Sequence, residues 1–249
     1  MPVRAYGIVL LVEKIARAEI HLNAIETEHR RVIDNGLYAI SKKDNPKKFL
    51  HVIRLEIKPI PFLLGMLAGE FAYCSRFGLD QLAWQLALTN LKGKRPRSQT
   101  SFPIRNPAPQ PPKGFGDSVK DISPAAFAVI EALQPYRRGA RFNEHPLWIL
   151  NELCITDKHV TMPVNSLACR FNISGASIVS RREFQHATEV AVSLSDKFKI
   201  KLDPVNPEVI LGEPLTGISS GFQVRIAELR TIYEFVRNEV VPKFAGFFK

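Results

Sequence analysis

Apolar residues recur at spacings of three, four and seven across residues 8–35, through Ile8, Leu11, Val12, Ile15, Ala18, Leu22, Ile25, Val32 and Ile33. This spacing predicts an amphipathic helix, and Asn35-Gly36 supplies its stop because either residue tolerates the left-handed conformation. Two short strands are expected next, Leu37–Ile40 and Leu50–Lys58. In the second, Ile53, Leu55 and Ile57 alternate with Arg54, Glu56 and Lys58, one face buried and one wet. The intervening SKKDNPKK reads as a turn segment, so the pair forms a hairpin. After Pro59 and Pro61 a second long helix is expected from about Phe62 to Leu91, carrying Leu64, Leu67, Phe71, Leu79, Leu82 and Leu86. Gly65, Gly69 and Gly78 weaken its propensity, so packing must hold it, and small residues there permit close helix approach.

Prolines at 96, 103, 107, 109, 111 and 112 exclude regular helix or central strand over residues 92–120, which read as an extended surface loop. Ser123-Pro124 is a helix start, with an N-cap followed by proline at the first helical position; that helix runs to about Gln134. Another begins at Pro146 and ends near His159. From Leu167 to Ile210 the period falls to two, with Val190, Val192 and Leu194 and then Phe198, Ile200 and Leu202 alternating with polar residues, which predicts a small antiparallel sheet. A last amphipathic helix is expected over 222–241. The class is therefore α+β, with long helices forming a bundle-like core, an N-terminal β-hairpin and a small antiparallel sheet in the C-terminal half. Residues 1–160 read as a mainly helical core with the hairpin (37–58) and a basic Pro-rich loop (91–120). Residues 161–249 read as the small sheet plus a C-terminal helix packing on the core.

Composition narrows the class. The 249 residues include 45% apolar types, 14 Gly, 18 Pro and 3 Cys, which excludes disorder of the whole chain, collagen and disulfide scaffolds. Cys74, Cys154 and Cys169 are odd in number and widely spaced, as expected in a reducing compartment. The longest apolar run near the N-terminus, Ala5 to Val12, is too short to span a bilayer, and no cleavage site follows it. A cytoplasmic protein without a membrane segment is the expectation. The net charge of +10 is local in origin. Residues 91–116 contain Lys92, Lys94, Arg95, Arg97, Arg105 and Lys113 and no Asp or Glu.

No dinucleotide, P-loop, serine-hydrolase, zincin or paired-cysteine motif is present. The six histidines are scattered, so neither a metal nor a cofactor is expected. Two stretches carry candidate chemistry. In residues 70–87, Arg76 and Asp80 are i,i+4 partners with Tyr73 just above them. They form either an intrahelical ion pair worth ~0.2–0.5 kcal/mol or a polar patch inside a helical bundle, with Trp84 as its apolar wall. In residues 144–159, Asp157, Lys158 and His159 close a helix. Cations there complement the negative end of the macrodipole; alternatively, a carboxylate orients a histidine. The basic segment could track a phosphate backbone, although Phe102 and Phe115 are its only aromatics and a stacking platform needs more. Otherwise it is a solvated linker, or an extended segment that a partner binds.

The ordered segments GEFAYCSRFGLDQLAWQLA (69–87), SFPI (101–104), LQPY (133–136) and HPLWILNELCITDKH (145–159) are similar to a family of uncharacterised bacterial proteins. There a helix of the form LRxxLDxLxWQL is followed by FPI, LQPY and PLWxLxxLxxxDKH motifs. A weaker, more distant resemblance is to HEPN-like helical ribonucleases, whose RxxxxH pattern places its arginine on Arg76 and its histidine on Gln81. That likeness implies a helical bundle, metal-independent RNA cleavage and a homodimer. Arg76 would then stabilise the scissile phosphate, with Asp80 and His159 as the remaining catalytic candidates, although glutamine cannot exchange a proton near neutral pH.

The reading these features favour is a non-catalytic binding or interaction module that contacts RNA or a protein partner through residues 91–116. The alternatives are an HEPN-like ribonuclease and a small-molecule enzyme with a pocket near Trp84 and Trp148.

Overall fold

The apolar stripe of the first helix, α1 (Val3–Asp34), lies along the second, α2 (Leu63–Asn90), in the most extensive helix pairing of the chain. The computed structural model describes residues 3–108, 114–159, 162–166, 171–175, 178–184, 187–193, 197, 199–202, 209–212 and 222–248. Leu11, Ile15, Ala18, Leu22 and Ile25 alternate at four and three residues and are buried, which is the spacing of one helical face. Val12, expected on that face, is exposed instead. α2 is buried on more than one side because α1 and α4 (Pro146–His159) both pack on it. Its glycines mark the close approaches. A Cβ on Gly78 would lie 3.3 Å from Ile15 and 3.4 Å from Leu11, and one on Gly65 would lie 2.5 Å from the Met162 carbonyl oxygen.

Between these helices the chain forms β1 (Tyr38–Asn45) and β2 (Leu50–Ile57). The hairpin is present, but β1 extends through SKKD, which the sequence assigns to the turn. The turn itself is Pro46–Lys48, where Asn45 caps Lys48 and Phe49 takes the left-handed conformation. Cross-strand contacts account for the extension. Asp44 sits opposite His51 and its carboxylate lies 2.6 Å from Nδ1, holding the strands together to the tip. In β2, Ile53 and Leu55 are buried and Glu56 is exposed, as the alternation requires.

The second half of the chain adds α3 (Pro124–Ala132), α4, β3 (Val164–Ser166), β4 (Phe171–Ser174), β5 (Ile178–Phe184), β6 (Ala187–Ser193), β7 (Lys199–Leu202), β8 (Val209–Gly212) and β9 (Gln223–Arg225). Ser123 caps α3 as its sequence predicts, accepting the Ala126 N–H. β2 pairs with β6, and the order β1-β2-β6-β5 makes one antiparallel sheet from both halves of the chain. β3-β8-β9 and β4-β7 form smaller antiparallel sheets. Val190 and Val192 of β6 are buried; Leu194 and Phe198 lie outside the described residues, as do Cys169 and His186. The architecture is α+β.

The single closing helix expected over 222–241 is divided. Residues 223–225 are β9, α5 (Ile226–Glu234) follows, a wider turn spans Phe235–Val240, and α6 (Val241–Phe244) begins immediately before Pro242. In the wide turn the Val241 N–H reaches back five residues to the Val236 carbonyl. Pro242 has no N–H with which to continue the ordinary ladder. α5 is held on α1 by Arg230, whose Nε and Nη2 donate to the two Glu26 oxygens at 2.9 and 2.7 Å. No helix among the described residues is long and apolar enough to cross a membrane.

The Pro-rich segment departs most from expectation. Pro109, Pro111 and Pro112 lie outside the described residues; over 92–108 the segment is irregular and only partly a surface loop, since Pro96, Thr100, Phe102 and Pro103 are buried and the Phe102 ring meets Phe244 edge-on at 6.4 Å. Proline removes ladder hydrogen bonds, and buried backbone groups must then find side-chain partners. Those partners define the site.

Candidate functional site

Tyr73, Arg76, Phe77 and Asp80 share one face of α2 through spacings of three and four, and α4 brings Cys154, Asp157 and Lys158 opposite them. The two helices can approach because residue 69 is glycine. A Cβ there would collide with the Asp157 carboxylate, meeting its Cγ at 2.7 Å. The half-open cleft between the two helices has a volume of about 110 Å³. One wall is the Tyr73 ring stacked on Phe77 at 5.9 Å, with the Lys14 ammonium 4.7 Å from the centre of the Phe77 ring. The Cys154 thiol donates to the Ala72 carbonyl at 3.4 Å, and burial pushes its pKa up to about 11, so it is an inert thiol rather than a nucleophile.

Arg76 and Asp80 are paired at 3.1 Å, yet the pair is more than an intrahelical bridge. The same Arg76 Nη2 donates to the Phe102 carbonyl at 2.6 Å, and the same Asp80 oxygen accepts the Phe102 N–H at 2.9 Å. The two side chains thus occupy both backbone groups of one residue, as a neighbouring strand would. Burial holds the Asp80 carboxyl above its ordinary range despite the opposing effects of Arg76, the Phe102 N–H and Lys158. Arg76 Nη1 is enclosed and has no hydrogen-bond partner among the described residues. Asp157 is also held above the ordinary range, first by burial and then by the Glu70 charge.

Gln134 repeats the clamp two residues on. Its Nε2 donates to the Pro103 and Ile130 carbonyls at 2.8 and 3.1 Å, and its Oε1 accepts the Arg105 N–H at 2.9 Å. Asp121 fixes the start of the segment, accepting the Arg97 backbone N–H at 2.8 Å and its Nε–H at 3.2 Å, while Asn90 donates to the Asp121 carbonyl at 2.9 Å. Gln134 and Asp121 were not singled out from the sequence. Apart from Ile130, one helical turn before Gln134, their partners lie 24 to 31 residues away.

The structure therefore brings together Arg76, Asp80, Tyr73, Asp157 and Lys158. Trp84 is half-buried and does not line the cavity. His159 is the last residue of α4, and its side chain lies outside the described residues. Trp148 is engaged edge-on by Phe142 at 5.7 Å and by Phe222 at 5.6 Å. Of the basic candidates, Lys92, Lys94, Arg95 and Arg105 are exposed. Arg97 is tied to Asp121 and lies 3.6 Å from Asp117, and Lys113 lies outside the described residues. Among the described residues, no group of three or more His, Cys, Asp or Glu could hold a metal ion. No protein-family model, curated protein or solved structure matches the chain.

Proposed function

We propose that the protein is a non-catalytic binding module that associates with RNA through the basic segment after α2. The observation that carries this reading is the position of Lys92, Lys94 and Arg95. All three are exposed, they leave the end of α2 together, and none is paired with a carboxylate among the described residues. Arg97, two residues on, is instead committed to Asp121. Exposed cations on an anchored segment suit phosphate contacts, whose strength comes from released counterions. Base stacking has no part in it: Phe102 is buried, and Phe115 is engaged edge-on by Phe127 at 5.1 Å. Binding is accordingly expected to be indifferent to sequence.

The second reading, an HEPN-like ribonuclease, draws on the cavity beside Arg76, with Asp80 and Lys158 on its walls. Against it, Gln81 stands where the pattern has histidine, and Arg76 Nη2 is already occupied by protein acceptors.

Both readings are tested by incubating the protein with labelled single-stranded RNA, with and without EDTA, scoring band shift and cleavage. The binding reading expects a shift without cleavage. With three cations engaged, the log–log slope of affinity against salt is about −2. Replacing Lys92, Lys94 and Arg95 together by Gln should weaken binding at least tenfold; unchanged affinity overturns the reading. Arg97 is left intact because its loss would disturb the Asp121 anchor. Cleavage that survives EDTA and disappears in Arg76→Lys favours the ribonuclease. Light scattering in the same buffer decides whether the binding unit is one chain or a homodimer.

A further inference from the structure

The cavity between α2 and α4 is separate from the basic segment in the chemistry it offers. Its 110 Å³ falls well short of the ~300–1,000 Å³ that holds a drug-sized ligand, so a nucleotide does not fit. It equals the liquid volume of about four waters, so only a very small molecule seats in it, with one side left to solvent.

The charges around it have both signs. Lys158 and Arg76 are cationic, Asp157 and Asp80 are carboxylates, and Glu70 adds a negative field at Asp157. Arg76 and Asp80 pair with each other, but that leaves the charges of Lys158 and Asp157 and one Arg76 nitrogen, Nη1, unanswered among the described residues. Lys158 and Asp157 have no ion-pair or hydrogen-bond partner among the described residues, although both line the cavity. Asp80 directs only one oxygen to Arg76 and Phe102. A simple anion entering here would face two carboxylates, and a simple cation would face an ammonium and a guanidinium. A ligand carrying both charges a few bonds apart satisfies each side, and like-charge juxtaposition rejects the rest. The bare Gly69 backbone forms part of the lining and lets the Asp157 carboxylate close against α2, where a methyl group would displace it.

We propose that this cavity is a binding site for a small zwitterion, an ammonium carboxylate such as a short-chain α-amino acid. Its carboxylate lies toward Lys158, with the Arg76 charge behind, and its ammonium group lies toward Asp157. The Tyr73 and Phe77 rings close one side.

The test is thermal unfolding and isothermal titration of the full chain with glycine and alanine. Acetate, inorganic phosphate and methylammonium serve as single-charge probes. A ligand that binds only the folded state raises the melting temperature in a saturable way. Glycine or alanine should do so, the single-charge probes should not, and Lys158→Ala and Asp157→Asn should each weaken binding at least tenfold. Both substituted residues are exposed, so both variants should keep the wild-type melting temperature without ligand. The proposal is overturned if neither amino acid binds, if phosphate or acetate binds as well as they do, or if the variants bind like wild type.

Discussion

Arg76 and Phe102, 26 residues apart in the chain, are joined by a 2.6 Å hydrogen bond from the guanidinium Nη2 to the carbonyl oxygen. Asp80, one helical turn on from Arg76, accepts the Phe102 N–H. The i,i+4 pair therefore works as a clamp that presses a proline-interrupted segment onto α2 and delivers the Phe102 ring to the core. Arg76→Ala leaves a buried carbonyl and a partly buried carboxylate without their cation. It should lower stability by about 2–3 kcal/mol in urea unfolding followed by circular dichroism. A loss below about 0.5 kcal/mol would mean that the clamp contributes nothing. Loss of any activity in this variant is interpretable only beside that measurement.

The glycines of α2 should not respond alike. Alanine at 65 drives its methyl into the Met162 backbone carbonyl, which cannot rotate away, so Gly65→Ala should cost about 1–3 kcal/mol. Alanine at 69 meets the end of the Asp157 side chain, which can turn aside, and a helix-propensity gain of about 1 kcal/mol offsets much of the contact. Gly69→Ala should thus keep near-wild-type stability while narrowing the cavity. Equal destabilisation by the two would contradict this packing.

His145 ties folding to pH. It is buried, its Nδ1 accepts the Leu147 N–H at 3.1 Å at the start of α4, and its ring meets Phe235 edge-on. Burial, then the Arg138 charge, lowers its pKa from 6.5 to about 4. Between those values the unfolded chain takes up a proton that the folded chain does not. The stability due to neutral His145 is therefore full above pH 6.5 and is lost as pH falls toward 4, a decline of about 3 kcal/mol. His145→Asn keeps an acceptor for Leu147 and removes the titration. Its unfolding free energy should fall less steeply over that window than that of wild type, and parallel profiles would refute the assignment.

Lys92 separates folding from binding. It closes α2 in the left-handed conformation (φ 53), with the Lys92 N–H bonded to the Thr89 carbonyl and the Gly93 N–H to the Leu88 carbonyl. This is the Schellman arrangement, in which glycine is the favoured residue at that position. Lys92→Gly should raise stability by about 0.5–1 kcal/mol and, on the RNA-binding reading, weaken RNA affinity by a few fold. The opposite sign of the two changes is the diagnostic, read by denaturant unfolding and band shift.

Much of the fold was legible because its signals are local. A 3.6-residue period places Leu11, Ile15, Ala18, Leu22 and Ile25 on one face whatever they pack against, and Ser123-Pro124 starts a helix using its own side chain and ring. The alternation in β2 likewise shows which residues are buried. By itself, then, the sequence determined the α+β class, the hairpin, the starts of α2, α3 and α4 and the local origin of the charge. It also placed Arg76 beside Asp80 through helical spacing. Only the tertiary structure decided that Arg76 and Asp80 face Asp157 and Lys158 beside Gly69, that β1 runs on through SKKD, and that Pro96, Thr100, Phe102 and Pro103 are buried rather than solvated. The hairpin extension depends on partners across the turn, such as His51 for Asp44, and the other two on partners more than 20 residues away, such as Asp80 for the Phe102 N–H or Gln134 for the Pro103 carbonyl. A buried backbone group must be satisfied, but its own residue type does not say which distant side chain will do it.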